Sequence, residues 1–177
     1  HPMFVFGLFA LLAYEIAEIS INSYFINFVT GQGWMNDNVA SIVLTVALAF
    51  FMVGRFVGSW IMRRIPAEIM LLVCSAGSVL CMIFVLFDLG KLSMVAIVCN
   101  YLFEAIMFPT IFALGVSDMG HNRERASSIL VMCVVGGALM PMFMGYIADN
   151  FSMSVGFIVP LICFIVILAF GLSKFKN

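Results

Sequence analysis

Six long runs of apolar residues follow one another along the chain, separated by short polar breaks. A hydrocarbon core about 30 Å thick is crossed by roughly 20 apolar residues in helical form, so each run predicts one transmembrane helix. The expected spans are residues 3–29, 39–62, 67–87, 92–116, 126–148 and 153–172. Helices are required rather than open strands, because lipid offers no partners to backbone N–H and C=O groups. The first break, 30–38, carries Gly31, Gly33 and Trp34, the last placed as an interfacial anchor. The others are Arg63-Arg64-Ile65-Pro66, Asp88-Leu89-Gly90-Lys91, the polar stretch 117–125, Asp149-Asn150, and a tail at 173–177.

Positive charge sorts these breaks into two classes. After spans two, four and six stand Arg63, Arg64, Arg123, Arg125, Lys174 and Lys176, whereas Lys91 is the one cation in the alternate breaks. Short loops rich in Lys and Arg stay in the cytoplasm, so both termini are expected there. Arg55, near the cytoplasmic end of span two, is expected to snorkel to that surface. Composition agrees with a lipid solvent: 64% of residues are hydrophobic and 10% charged, against about 25% charged in soluble domains. A net charge of -1 argues against a nucleic-acid partner. Cys74, Cys81, Cys99, Cys133 and Cys163 all lie within apolar spans and read as packing residues, with no metal or cofactor implied.

No soluble linker interrupts the chain, so residues 1–177 are expected to form a single six-helix membrane domain. The opening His1-Pro2-Met3 does not look like a natural start, which points to a piece of a longer protein. A faint regularity divides the six helices into three plus three. The second helix of each triplet carries glycine towards its exit, as Gly54 and Gly58 in span two and Gly136, Gly137 and Gly145 around Pro141 in span five. Triplets with an odd number of crossings enter the membrane from opposite sides, which makes an inverted repeat.

Ionisable groups are expensive in a bilayer, at least about 2.5–3.5 kcal/mol at a helix centre. They concentrate in two spans. Glu15, Glu18 and Asn22 are spaced i, i+3, i+7 on one face of span one, with Asn27 towards its outer end. Asn100 and Glu104 are spaced i, i+4 in span four. A lone polar residue in such a helix is often no more than an interhelical hydrogen bond, and Glu15, near enough to the cytoplasmic third to be partly solvated, is expected to have a structural or peripheral role. Glu18 with Asn22, and Glu104, read instead as the lining of a wet cavity; Asn100 shares the face of Glu104, and for it, as for Asn27, both readings stand. No cation is expected at their depth, and burial favours the neutral form of a carboxyl group. Glu18 and Glu104 are therefore candidates for proton exchange. Phe108-Pro109 follows Glu104 by one turn, where proline frees a carbonyl and permits a bend that serves as a hinge or a packed kink. His121 reads as a solvated loop residue. The chain shows no Walker sequence, no H-E-x-x-H and no nucleophile set, so an enzyme is not expected.

Several segments carry a resemblance. The run from Gly54-Arg55-Phe56-Val57-Gly58 to Arg63-Arg64 resembles the loop between the second and third helices of a major facilitator half. The segments from Phe108-Pro109-Thr110-Ile111-Phe112 to Gly115, from Gly136-Gly137 to Pro141, and Gly145-Tyr146-Ile147-Ala148-Asp149 resemble the C-terminal half of the fucose/proton symporter family. So does Ser23-Tyr24-Phe25-Ile26-Asn27-Phe28, similar to the outer half of that family's seventh helix. The resemblance spans the chain, and implies half of a twelve-helix fold whose other partner is an N-terminal six-helix half. It also implies proton-coupled uptake of fucose, glucose or galactose by alternating access in a bacterial inner membrane. Glu18 matches a position that carries a polar residue facing the central cavity. In the fucose symporter the carboxylates tied to protonation lie in the N-terminal half.

On this reading Glu18, Asn22, Asn100, Glu104 and Phe108 contact the sugar, with Phe108 offering an apolar face to its ring. Gly54, Arg55, Gly58, Arg63, Arg64, Pro109, Gly136, Gly137 and Pro141 serve gating or structure. Two alternatives stand beside it: a major facilitator transporter of another polar solute, and a stand-alone six-helix membrane protein with a structural role.

Overall fold

The computed structural model describes residues 2–176, which are helical almost throughout. The helices are α1 Pro2–Gly31, α2 Asp37–Ile61, α3 Ala67–Leu86, α4 Lys91–Val116, α5 Arg123–Gly136, α6 Met140–Asn150, α7 Met153–Gly156 and α8 Ile158–Lys176. Two 3-10 turns, Gly120–Asn122 and Gly137–Leu139, flank α5. Together these elements make six crossings long and apolar enough for a membrane, because α5 and α6 form one stretch, Gly120–Asn150, and α7 and α8 another, Met153–Lys176.

Three departures from the expected spans have local causes. The fifth crossing is not one continuous helix, since the 3-10 turn Gly137–Leu139 interrupts it. Pro141 has no N–H for the carbonyl four residues back, and the tighter turn absorbs the mismatch. The sixth crossing breaks at Phe157, between α7 and α8, where Pro160 likewise cannot bond to the carbonyl of Gly156. Residues 173–176, expected as a tail, form the last turn of α8, with Lys174 and Lys176 at its carbonyl end. Cations suit that end of a helix dipole.

Side chains close the turns. The Asn36 side chain accepts from the Val39 N–H at 2.9 Å and starts α2. Between α3 and α4 the Ser93 hydroxyl donates to the Phe84 carbonyl and accepts from the Leu89 N–H, each at 2.8 Å. Within the helices Thr45, Ser75 and Thr110 return their hydroxyl protons to carbonyls one turn back. In hydrocarbon that is how a lone hydroxyl is satisfied without water.

The helices stack in three layers. α3 and α8 pack on each other at the back, α1 and α4 lie in the middle, and α2 and the fifth crossing stand at the front. The neighbours repeat with approximate two-fold symmetry: α1 packs on α8 as α4 packs on α3, and the fifth crossing packs on α1 as α2 packs on α4. The first triplet thus maps onto the second. Short connections force neighbouring crossings to alternate in direction, and ties at the two ends agree. Gln32 donates to the Asp88 carboxylate at 3.0–3.1 Å, joining the breaks after spans one and three. Lys174 bonds Asp118 and Ser117, joining the end of α8 to the break after span four.

Helices touch where side chains are missing. A Cβ on Gly54 or Gly58 of α2 would come within 2.9 Å of Ala105 and 2.7 Å of Ile106 on α4. Gly137 sits against the backbone of α1, where a Cβ would meet the Cβ of Glu15 at 2.9 Å and its carbonyl carbon at 3.1 Å. Tyr24 donates to the Pro141 carbonyl at 2.9 Å, and the absent side chain of Gly145 leaves room for that hydroxyl. Small residues of this kind let membrane helices approach closely enough for dispersion to hold them.

Two outcomes follow for the complete protein in detergent. Gly137→Ala should lower stability by about 1–3 kcal/mol, because backbone rather than a flexible tip must move. Gly31→Ala, which meets nothing within 4 Å, should change the melting temperature little. The Asp118 carboxyl is held below its usual range, chiefly by its hydrogen bond from Lys174. Its stabilising contribution is present above about pH 4 and fades as pH falls through the lower folded value. With the carboxylate half exposed, Asp118→Asn should cost at most about 1 kcal/mol at neutral pH, less at high salt, and nothing in strong acid.

Candidate functional site

The front of the bundle is open. In the second and fifth crossings only 22% of the apolar stretch is buried, against 50% in the first and fourth. Between these two front helices lies the polar face of α1. Glu15 and Glu18 are three residues apart, hence about 60° apart round the helix. That angle turns Glu15 towards Gly137 on the fifth crossing and Glu18 towards Arg55 on α2. Asn22 continues the strip, its Oδ1 buried without a hydrogen-bond partner. Asn27 does not extend it, standing nine residues from Glu18 and half-way round the helix. Glu15 is buried, not peripheral, because Gly137 lets the fifth crossing close over it.

Arg55 corrects the sequence reading most sharply. Instead of snorkelling to the cytoplasmic surface it turns into the bundle, with Nη2 3.8 Å from Glu18 Oε2. The same nitrogen donates to the Tyr14 hydroxyl at 3.5 Å. Its guanidinium lies over two rings, 4.6 Å from the centroid of Phe51 and 5.1 Å from that of Phe108. Guanidinium groups are weakly hydrated and stack on aromatic faces, so the rings hold in place what water would hold elsewhere. A cation therefore does stand at the depth of the glutamates. The reach of Arg, and the close approach of α2 to α4 at Gly54 and Gly58, bring it there.

Behind this pair the site deepens into α4. Tyr14 is fully buried, and its hydroxyl donates to the Glu104 carbonyl at 3.1 Å. The Glu104 side chain is completely enclosed, with the Asn100 amide, one turn back on the same helix, as its hydrogen-bonding neighbour at less than ideal geometry, while the buried Tyr101 hydroxyl has no partner. Glu104 lies within electrostatic reach of Glu18 and Arg55. Phe108 packs at 5.8 Å from Tyr14 and stacks on Phe112 at 6.4 Å. α4 runs through Pro109 without interruption.

The structure thus gathers Glu18, Asn22, Asn100, Glu104 and Phe108 around one wall, and adds Arg55, Tyr14, Tyr101 and Phe51. Helical spacing held the signal for two of these. Tyr14 stands four residues before Glu18, and Phe51 four before Arg55. Arg63 and Arg64 lie apart from this wall, exposed in the turn after α2, with Arg64 over Trp60 at 4.9 Å. His121 is exposed in a polar cleft with Arg123, Glu124 and Arg125. Among the described residues no three His, Cys, Asp or Glu side chains gather as metal ligands would.

No family model matches the sequence. Known proteins do. The glucose/galactose transporter of Brucella abortus is 33% identical over 98% of this chain and 42% of its own length. A putative glucose/galactose transporter of Helicobacter pylori strain J99 is 31% identical over 100% of this chain and 45% of its own. The L-fucose-proton symporter of Escherichia coli K12 is 29% identical over 95% and 38%. The crystal structure of a major facilitator superfamily transporter, FucP, in the outward conformation superposes with a TM-score of 0.91 at 26% identity, over 97% of this chain and 42% of that one. The chain therefore spans less than half the length of the relatives it matches. It belongs to the major facilitator superfamily and corresponds to the C-terminal six-helix half of its sugar-transporter relatives.

Proposed function

We propose that this chain is the C-terminal half of a proton-coupled sugar transporter that works by alternating access with an N-terminal six-helix half. The observation that carries the proposal is the wall just described: Glu18, Arg55 and Asn22 on the open face, backed by Asn100 and Glu104, in a bundle otherwise apolar. Polar groups at such depth face a cavity or a partner, and here several are buried with no partner of their own. The names of the relatives supply the substrate class, since two are called glucose/galactose transporters and one an L-fucose-proton symporter.

A sugar presents hydroxyls that each need a donor and an acceptor. On the open face Asn22 offers both, Glu18 accepts, and Phe108 gives an apolar edge for the carbon face of the ring; Asn100 and Glu104, enclosed behind them, meet the sugar only in a state in which the front helices part. Glu18 and Glu104 are the groups assigned to carry protons. Neutralising either changes the attraction across the wall, and a proton can bias one open state over another only through such a difference. Gly54 and Gly58 of α2, packed against α4, and Gly136 and Gly137 of the fifth crossing, packed against α1, form smooth contacts on which the front helices tilt, with Pro141 as a weak point of the fifth crossing and Pro109 as one in α4 behind them. Arg63, Arg64, Arg123, Arg125, Lys174 and Lys176 face the cytoplasm on this reading, with both ends of the chain on that side of a bacterial inner membrane.

The test uses the complete transporter in proteoliposomes with an inward proton gradient and labelled D-glucose, D-galactose or L-fucose. Gradient-driven accumulation of at least one sugar is expected. Glu18→Gln should reduce that accumulation by about tenfold or more, the effect of about 1.4 kcal/mol, while the protein inserts and elutes as before. Accumulation undiminished in Glu18→Gln would sink the assignment, and no uptake of any of the three sugars would sink the substrate class.

A further inference from the structure

Arg55 has more capacity than its present contacts use. A charge-assisted N–H to carboxylate bond settles at about 2.7–2.9 Å, whereas Arg55 stands 3.8 Å from Glu18 and 3.5 Å from the Tyr14 hydroxyl. Its Nε is buried and unpartnered. Two-fifths of its side chain (40%) remains open on the front face, against 19% for Glu18. Phe51 and Phe108 fix the plane of the guanidinium from the ring side without consuming its hydrogen-bond donors. The group is held in place, yet loosely bonded.

The titratable groups gathered around Glu18 come from three helices. Tyr14 and Glu15 stand on α1, Arg55 on α2, and Tyr101 and Glu104 on α4, while Cys133 on α5 faces Glu15. Arg55 is the one cation of that set. An ionised Glu18 competes for its donors, and a neutral Glu18 does not.

We propose that Arg55 is a sugar-binding residue whose guanidinium is drawn towards Glu18 while that carboxylate is charged and freed when it takes up a proton. The planar fork of a guanidinium donates two parallel N–H bonds, which suits a pair of adjacent hydroxyls on a pyranose. The proton goes onto a Glu18 carboxyl oxygen, the ion pair is lost, and Arg55 bonds the sugar in its place. Sugar and proton then favour one another's binding, and the coupling is reciprocal by linkage. This rests on the sugar reading above, but places coupling within this half through a residue that contacts substrate.

Equilibrium binding of tritiated D-glucose, D-galactose and L-fucose to the complete transporter, at about pH 5.5 and about pH 8.5, tests it. In the unaltered protein the bound sugar is expected to bind about tenfold or more tightly at the lower pH, the scale of one ordinary coupling free energy. Glu18→Gln should bind close to the tight level at both values, any slope that remains being that of Glu104. Glu18→Gln with Arg55→Gln removes both charges, so it leaves no unpaired ion, and should bind about tenfold or more weakly at both. Should that pair fail to fold, Glu18→Gln with Arg55→Lys keeps the cation but not the fork, and should also fall below Glu18→Gln alone. Equal affinity with and without Arg55, or a pH dependence in Glu18→Gln as steep as in the unaltered protein, would overturn the inference while leaving the sugar reading intact. No binding of any of the three sugars by the unaltered protein would defeat the sugar reading itself, and this inference with it.

Discussion

Helices in lipid gain nothing from hiding apolar side chains from one another, because acyl chains solvate leucine as well as leucine does. What holds them is contact, and contact depends on the absence of side chains at a few positions. Gly54 and Gly58 set how near α2 lies to α4, and Gly137 sets how near the fifth crossing lies to α1. The remaining geometry follows from these approaches. Move α2 outward by the width of a methyl group and Arg55, with Phe51 beside it on the same helix, draws away from Phe108 and out of reach of Glu18.

The polar wall depends on those contacts for a second reason. Glu15 is shielded because Gly137 allows backbone to close over it, whereas Glu18, one turn on, is left at the open front. Two carboxyl groups on the same face of one helix thus receive different surroundings from different neighbours. Tyr14 links the front to the interior: its hydroxyl accepts from Arg55 and donates to the backbone of Glu104. The wall is a connected set of groups with Tyr14 in the middle.

Much of this was legible in the sequence. Span length and apolarity give six crossings, and the i, i+3, i+7 spacing gives the polar face of α1. Glycine spacing marked the helices that approach closely. The destination of Arg55 was not legible, because the rule that long cations snorkel considers the helix alone, and a neighbouring carboxylate with two aromatic rings outweighs it. The break at Gly137–Leu139 was hidden because hydropathy cannot distinguish a 3-10 turn from an α-helical one. Proline was its signal, and Pro141 was read as part of the glycine pattern instead. The partial solvation expected of Glu15 from its depth along the helix does not occur, because the deciding quantity is which helix faces it.

The exposed front of α2 and of the fifth crossing has a consequence for reversibility. In water an apolar face of that size would associate tightly and separate slowly. In a bilayer it is already solvated by lipid, so a surface docking there gains only shape fit and whatever the polar groups at Glu18 and Arg55 contribute. Separation then exposes nothing that the solvent rejects. An interface of this kind can part and rejoin at small energetic cost, provided the few polar groups on it always have somewhere to turn.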